Sequence, residues 1–270
     1  MANQIFPSEV YLEEQSHRYF HKTKKIEFES VSSVYKHYLN AFDTHTQKYR
    51  SAIKQIKQAG LTPDQNIVDR HAKRLEKKWK ENSIEKSGKG TDIHKSLELY
   101  GKTRKVANPE HLELCESVFY YLYKQYDYDI ILDEVIVYSE DFRVAGTMDK
   151  PAIRSLRSKN KVLDIYDYKS NEKIDTFSAY GNRMKAPFEY LEDCSYIYYS
   201  IQMSIYMYLS ELSGFTPGKI TLLHLSQDLK TFNPIPCAYL RPVAKFMVEN
   251  AMFEKKKREI AQRIKDEHTV

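Results

Sequence analysis

The amino-acid sequence predicts an α/β fold in which a central mixed sheet is flanked by helices. The first observation is a set of short segments in which apolar and polar side chains alternate as in strands: residues 134–138, 142–148, 162–169 and 219–225. The second is helical spacing over residues 108–126 and 195–212. The first three strands have short connections, so we expect them to form a mostly antiparallel meander.

The chain before this sheet is predicted to be a hairpin followed by a helical N-terminal extension. Residues 10–28 carry short strand-forming runs around a polar turn, and Ser30 then begins a helical pattern. Residues 47–86 are basic and helical in character, with an interruption at residues 60–63. The basic side chains near the only tryptophan, Trp79, are Lys73, Arg74, Lys77, Lys78 and Lys80. They form either a solvated helix face or a surface that follows a phosphate backbone.

Particular residues mark where the later helices begin and end. Asn108, Pro109 and Glu110 supply a cap, a proline at the first helical position and an acid in the first turn. Gly214 is expected to adopt the left-handed conformation that ends the helix of residues 195–212.

The remaining segments complete one predicted domain. We expect a polar loop over residues 154–161 and a basic helix from Pro242 onward. There are no internal repeats and no long linker, so residues 1–270 are expected to form a single domain. Its predicted parts are the N-terminal extension, the core, and a C-terminal loop and helix, over residues 1–87, 88–225 and 226–270.

Composition excludes several classes of protein. The 270 residues carry 42 lysines and arginines against 37 acids, a net charge of +5, which excludes a polycationic coat protein and an acidic tail. The three cysteines are scattered, so we expect no disulfide framework, no CxxC zinc site and no iron–sulfur cluster. No segment reads as a signal peptide or a membrane span, and we expect a cytoplasmic protein with no membrane partner. No GxxxxGK[ST] loop is present, so no nucleotide is expected.

The clearest candidate for chemistry is the pair Asp167 and Lys169 at the end of a predicted strand. Alternation places both side chains on one face of the sheet, so a carboxylate and an ammonium emerge together. A carboxylate can hold a hard divalent cation, and an ammonium can stabilise charge on a phosphate. A similar acid-x-Lys pair at Asp228 and Lys230 also follows a strand, but no second acid accompanies it.

Four further residues complete the candidate set. Asp149 precedes Lys150 and Pro151, and it either caps a turn or brings a second carboxylate to the same cation. His94 is expected one turn inside a helix that begins at a Thr91 cap and ends at Gly101. Gln202 and Tyr206 lie four residues apart and share one face of a helix.

In this order, the motifs resemble those of the RecB-like branch of the PD-(D/E)xK nuclease superfamily. The resemblance covers residues 88–212. It rests on Gly90-Thr91-x-x-His94, Gly146-x-x-Asp149, Asp167-x-Lys169 and Gln202-x-x-x-Tyr206. The chain looks most like compact single-domain members, those related to the mitochondrial genome maintenance exonuclease and to phage-encoded RecB-like nucleases. The resemblance implies a restriction-endonuclease-like core.

The resemblance also implies a role for each motif residue. Mg²⁺ or Mn²⁺ would be bound by His94, Asp149, Asp167 and the backbone carbonyl of Tyr168. Lys169 would orient or deprotonate the attacking water, and a cation would lower the pKa of that water. Gln202 and Tyr206 would position the substrate strand or the lysine. Glu134 either reaches a second metal ion or only anchors the structure.

The segment between Lys169 and Ser195 departs from the family pattern because it is unusually long. It is either a clamp over single-stranded DNA or a surface loop. As a clamp, it would use Phe188 or Tyr190 for stacking and Arg183 and Lys185 for phosphate contacts.

The resemblance makes the expected activity the metal-dependent hydrolysis of DNA. We expect an exonuclease that acts on single-stranded DNA or single-stranded ends, with single-stranded-DNA-binding or recombination proteins as partners. Were it phage-encoded, it would act in the host cytoplasm in DNA repair or recombination. Two alternatives stay open: a non-catalytic DNA-binding accessory protein on a nuclease fold, and a structure-specific or RNA-directed endonuclease that uses the same site.

Overall fold

The computed structural model describes residues 9–40, 43–124, 127–155, 160–178 and 181–267. Over these residues the chain is a mixed α/β structure with two five-stranded sheets and flanking helices. The coarse prediction of a mixed sheet between helices is therefore confirmed, except that there are two sheets. The chain divides into a larger unit, Met1–Leu39 with Ser96–Val270, and a smaller unit, Asn40–Lys95. Within the described helices, none combines the length and the hydropathy that a membrane span requires.

The first sheet joins the N-terminal hairpin to two strands from the middle of the chain. In spatial order its strands are β1 (Val10–Glu13), β2 (Arg18–His21), β3 (Glu27–Ser30), β6 (Val144–Met148) and β5 (Val135–Ser139). The β3–β6 pair is parallel and the other pairs are antiparallel. Ser30 then caps helix α1 (Val31–Lys36), because its hydroxyl accepts a hydrogen bond from the N–H of Ser33 at 3.1 Å. The predicted hairpin and helix start are both confirmed.

The smaller unit is a pair of helices. Helix α2 is Thr44–Gln58, and helix α3, Gln65–Thr103, begins in this unit. The helices share an apolar core whose members are Ala52, Ile56, Val68, Ala72 and Leu75. Gly60 ends the first helix with a positive φ of 75°, and the N–H of Leu61 donates to the carbonyl of Ile56 at 3.1 Å.

The bounds predicted for the helix that carries His94 are wrong. Thr91 is not a cap and Gly101 is not a terminus, because both lie inside this helix of 39 residues. Glycine lowers helix stability only by about 1 kcal/mol, and a long helix can absorb that cost at Gly88 and Gly90. An ion pair one turn apart, between Glu85 and Lys89 at 2.7 Å, also spans this stretch.

The second sheet contains the strand that carries Asp167 and Lys169. In spatial order its strands are β10 (Phe232–Pro236), β9 (Thr216–Leu225), β8 (Lys161–Lys169), β7 (Lys150–Ser155) and β4 (Ile130–Ile131). The β8–β9 pair is parallel and the others are antiparallel. The central strand β8 is buried along most of its length, as a strand with neighbours on both sides should be.

The predicted meander of three strands is right for the first two and wrong for the third. Strands β5 and β6 pair antiparallel, whereas β8 lies in the second sheet, between β7 and β9. Only Asp149 separates β6 from β7, so the chain leaves one sheet and enters the other at this residue. Strand β7 was not predicted, because Pro151 indicated a turn. The predicted loop over residues 154–161 is shorter, since Arg154 and Ser155 belong to β7 and Lys161 to β8. Its central residues, 156–159, lie outside the described residues.

Three helices complete the larger unit. A 3₁₀ turn, Pro109–His111, leads into helix α4 (Leu112–Lys124), and the Asn108 side chain accepts from the N–H of Glu110 at 3.0 Å. The predicted end of this helix at residues 125–126 lies outside the described residues. Helix α5 is Ser195–Leu212 and Gly214 has a φ of 90°, as predicted. Helix α6 is Arg241–Glu267. Buried side chains of α5 and α6 form one core with β6 and β8.

Candidate functional site

Asp167 and Lys169 lie side by side at the end of β8. They form an ion pair, in agreement with the alternation of side chains along a strand. Asp167 is 2% exposed, and the Lys169 side chain is 16% exposed. The strand therefore presents an acid and a base at the margin of the core, where both are shielded from most of the solvent.

The ammonium of Lys169 is held in its charged form. Burial alone would lower its pKa, but the charges of Asp167 and Asp149 outweigh burial and raise the pKa of Lys169 well above its ordinary value. The ring of Tyr199 adds a cation–π contact, with its centroid 4.9 Å from Nζ. With these neighbours Lys169 is a cation at neutral pH, suited to orienting an oxygen or stabilising negative charge.

Asp149 reaches the same strand through the backbone. Its carboxylate accepts a hydrogen bond from the N–H of Tyr168 at 3.0 Å. Tyr168 lies between Asp167 and Lys169 in the sequence, so this bond ties the junction of β6 and β7 to the end of β8. The carbonyl of Asp149 also accepts from the N–H of Glu134 at 3.0 Å. Asp149 therefore links β8, which carries Asp167, to Glu134, the residue just before β5.

Glu134 adds a third carboxylate to this group. One of its carboxylate oxygens lies within 4.8 Å of an oxygen of Asp149. Its backbone φ is 49°, a left-handed conformation that is uncommon outside glycine and that clusters at functional sites. The residue is exposed, but partial loss of hydration at its carboxyl, and then the negative charge of Asp149, raise the pKa of Glu134 to about 8. A bound cation would relieve this repulsion.

Gln202 and Tyr206 contact each other on helix α5. The Gln202 amide donates to the Tyr206 hydroxyl at 2.9 Å. Tyr206 is 5% exposed, and its pKa is raised well above the ordinary value by burial and then by the charge of Asp167. Gly146 makes room for this ring, because a Cβ at residue 146 would lie 2.6 Å from Cε1 of Tyr206. The glycine of the Gly146-x-x-Asp149 motif thus has a packing role.

His94 belongs to the smaller unit, where it lies inside helix α3 and is partly buried. The larger unit itself brings together Glu134, Asp149, Asp167 and Lys169. The roles of His94 and of the Tyr168 carbonyl as metal ligands stay predictions.

The long segment after Lys169 folds back on itself. Arg183 and Glu192 form an isolated bridge and an ion pair at 2.6 Å. The prediction that Phe188 could stack on a base is wrong. Phe188 is 4% exposed and packs edge-on against Tyr38, with ring centroids 5.1 Å apart. A ring buried in this way has no open face for a base. Tyr190, which is 66% exposed, has one, and Lys185 is also exposed.

Sequence reasoning missed two features near these acids. Tyr199 lies three and seven residues before Gln202 and Tyr206, so helical spacing alone places it on their face. Its hydroxyl donates to the Asn171 side chain at 2.8 Å, just beyond Lys169. The second feature is the buried ion pair between Lys150 and Asp133, for which a single sequence carries no signal.

Comparisons with known proteins identify no family. No protein-family model matches the chain, and no curated protein is significantly similar to it. Among solved structures, the crystal structure of SSO0001 is similar to it with a TM-score of 0.26 and 15% sequence identity, over 60% of this chain and 73% of that chain. A likeness at this TM-score transfers neither fold nor function.

Proposed function

We propose that this chain is a divalent-metal-dependent deoxyribonuclease built on a PD-(D/E)xK-like core. The observation that carries the proposal is the convergence of Glu134, Asp149 and Asp167 beside the protonated Lys169. Three carboxylates beside one ammonium are costly without a ligand. A dication, together with a group that stabilises negative charge, promotes hydrolysis of a phosphodiester.

The donor set fits Mg²⁺ or Mn²⁺. Both cations prefer carboxylate oxygens. A dication would also neutralise the negative charge of Asp149, which after loss of hydration is the next cause of the raised pKa of Glu134. Asp149, Asp167 and Glu134 would hold the ion, with His94 and the Tyr168 carbonyl as the further ligands predicted from the motifs. A bound dication polarises a scissile phosphate and lowers the pKa of a coordinated water.

The chain's own residues supply the remaining functions. Lys169, which is a cation in the metal-free chain, would orient the attacking water or stabilise charge on the phosphate. The Tyr199 ring limits where the ammonium of Lys169 can lie. Gln202 offers an amide next to Tyr206, on the helix that packs behind β8, and it would position the strand or the lysine.

The substrate we propose is DNA with single-stranded character, cleaved from an end. Tyr190 and Lys185 support this choice because both are exposed on the segment that follows Lys169. Arg183 is half-exposed and paired with Glu192, and a phosphate would have to compete for it.

End-labelled linear single strands, linear duplexes and closed circles, each incubated with Mg²⁺, Mn²⁺ or EDTA, test this proposal. We expect metal-dependent release of short products from linear single strands and none in EDTA. Binding without cleavage in any metal would overturn the proposal in favour of an accessory protein. Cleavage of intact circles, flaps or RNA in preference to linear DNA would favour an endonuclease.

A further inference from the structure

The positive charge of the chain is concentrated in the smaller unit. Its 56 residues, Asn40–Lys95, hold 13 lysines and arginines against 7 aspartates and glutamates, a net charge of +6. The other 214 residues hold 29 against 30, a net charge of −1. The formal excess of the whole chain therefore comes from the two-helix unit, while the unit with the acid cluster is close to neutral.

Four of these cations occupy one face of α3. Arg70, Lys73, Arg74 and Lys77 follow the spacing i, i+3, i+4, i+7, and all four are exposed. The apolar residues that pack against α2 are Val68, Ala72 and Leu75, on the other side of the helix. The four cations therefore point away from the core of the helix pair.

Cations predominate on this face of the helix. Arg74 has Arg70, Lys77 and Lys78 at its helical neighbour positions, and like charges at these spacings repel. The nearby acid Glu76 pairs instead with Lys48 on α2, at 2.7 Å. The last cation of the row, Lys77, lies 3.8 Å from Glu81 one turn on, and later in the helix Glu85 pairs with Lys89. The exposed pair at Lys77 is worth little. Arg70, Lys73 and Arg74 carry like charges at neighbouring helical positions, and a polyanion would relieve their repulsion.

We infer that this cationic face of α3, formed by Arg70, Lys73, Arg74 and Lys77, binds the phosphate backbone of a single-stranded nucleic acid. A row of four cations over two helical turns matches a ligand with regularly repeated negative charge. The release of counterions from such a ligand drives binding, and binding weakens as salt is added. The inference rests on the proposed function only for the choice of a nucleic acid as the polyanion.

The test measures binding by the full-length chain in EDTA, where the proposed cleavage cannot occur. The probe is a fluorescein-labelled 20-nucleotide oligothymidylate, with oligouridylate and a heparin fragment as parallel arms, titrated by anisotropy at several salt concentrations. The test variant combines Arg70→Gln, Lys73→Gln, Arg74→Gln and Lys77→Gln. The control removes the same four charges from α6 through Lys245→Gln, Lys255→Gln, Lys256→Gln and Lys257→Gln.

For the test variant we expect the slope of log K against log salt to become shallower by about 3, since each single-strand phosphate contact contributes about 0.7. Raising salt from about 50 to about 200 mM should then weaken the wild type about fifty-fold more than the test variant. The control should keep the wild-type slope within about 1. DNA or RNA as the tighter probe identifies the backbone that is bound.

Equal slopes in the test and control variants would overturn the inference, as would wild-type binding to heparin alone or to no probe. Circular dichroism checks that both variants fold. If the quadruple variant does not, Lys73→Gln alone should still lower the slope by about 0.7. Because the assay contains no metal, it measures the contribution of the cationic face to binding independently of metal-dependent cleavage. If the chain binds nucleic acid through this face but never cleaves DNA, the inference is supported and the proposed nuclease activity is wrong.

Discussion

The ring of Tyr206 occupies the space into which any side chain at Gly146 would project. A Cβ at that position would approach Cε1 of Tyr206 to 2.6 Å and Cγ2 of Val31 to 2.8 Å. Both neighbours are buried, so neither can move away cheaply. Because residue 146 has no side chain, the ring of Tyr206 can pack against the first sheet.

The first prediction concerns this contact. Gly146→Ala should lower the free energy of unfolding by about 1 to 3 kcal/mol, the usual cost of overpacking a core. Denaturant unfolding followed by circular dichroism measures it. Gly88→Ala is the matched control, because nothing lies within 4 Å of its added Cβ and the residue is inside a helix. The control should gain about 0.5 to 1 kcal/mol. Equal effects of the two substitutions would contradict this packing role.

The second prediction separates the Asp167–Lys169 pair from the similar pair at Asp228 and Lys230. Asp167→Asn and Lys169→Met should each reduce metal-dependent DNA cleavage by about 100-fold or more, since the first removes a proposed metal ligand and the second removes the ammonium that stabilises negative charge. Asp228→Asn and Lys230→Met should change it less than about threefold. The reason is that Asp228 only stabilises a turn, where its Oδ1 accepts from the Ser226 hydroxyl at 2.6 Å and the Lys230 N–H at 3.2 Å. Initial rates on an end-labelled single strand measure this. Comparable losses for both pairs would count against the site.

The third prediction follows from the pKa of about 8 for Glu134, against an ordinary value of 4.5. The folded chain binds this proton more tightly than the unfolded chain, so ionisation opposes folding. In EDTA, the contribution of Glu134 to stability should fall as the pH rises from about 4.5 to about 8, and then stay constant. Glu134→Gln removes this term, so the variant should gain stability relative to the wild type over that interval. Urea unfolding at a series of pH values measures the difference, and a difference that does not change with pH would refute it.

The fourth prediction concerns the cysteines. Burial raises the pKa of both Cys115 and Cys237 to about 11. At pH 8 only about one thiol in a thousand would then be ionised at each position, and the thiolate is the reactive form. The native chain should therefore react with a thiol reagent far more slowly than the chain unfolded in guanidinium, where all three cysteines should react at the rate of free thiols. Complete and rapid labelling of the native chain would contradict these raised pKa values.

Local signals in the sequence predicted the elements whose ends are set by their own residues. Ser30, Asn108 and Gly214 each mark a terminus, because a cap or a left-handed residue acts over one helical turn. The predicted cap at Thr91 was wrong, because the helix continues through this residue. Strand β7 was missed for a similar reason. Pro151 indicated a turn, but the strand is stabilised by pairing with β8 and not by local preference.

The candidate site was predictable to the extent that spacing controls it. Alternation placed Asp167 beside Lys169, and helical spacing placed Gln202 beside Tyr206. The burial of Phe188 was not predictable, because its partners Tyr38 and Phe246 are distant in the sequence. The left-handed backbone of Glu134 likewise gives no local sign, since glutamate rarely adopts that conformation.

The position of Asp149 between two sheets gives the chain a built-in spectroscopic reporter. The amide proton of Tyr168 is bonded to the Asp149 carboxylate, so its chemical shift and its exchange with deuterium should register any change in that carboxylate. Titrating the isotope-labelled chain with a diamagnetic dication would thus reveal occupancy at a single resonance, with no substrate present.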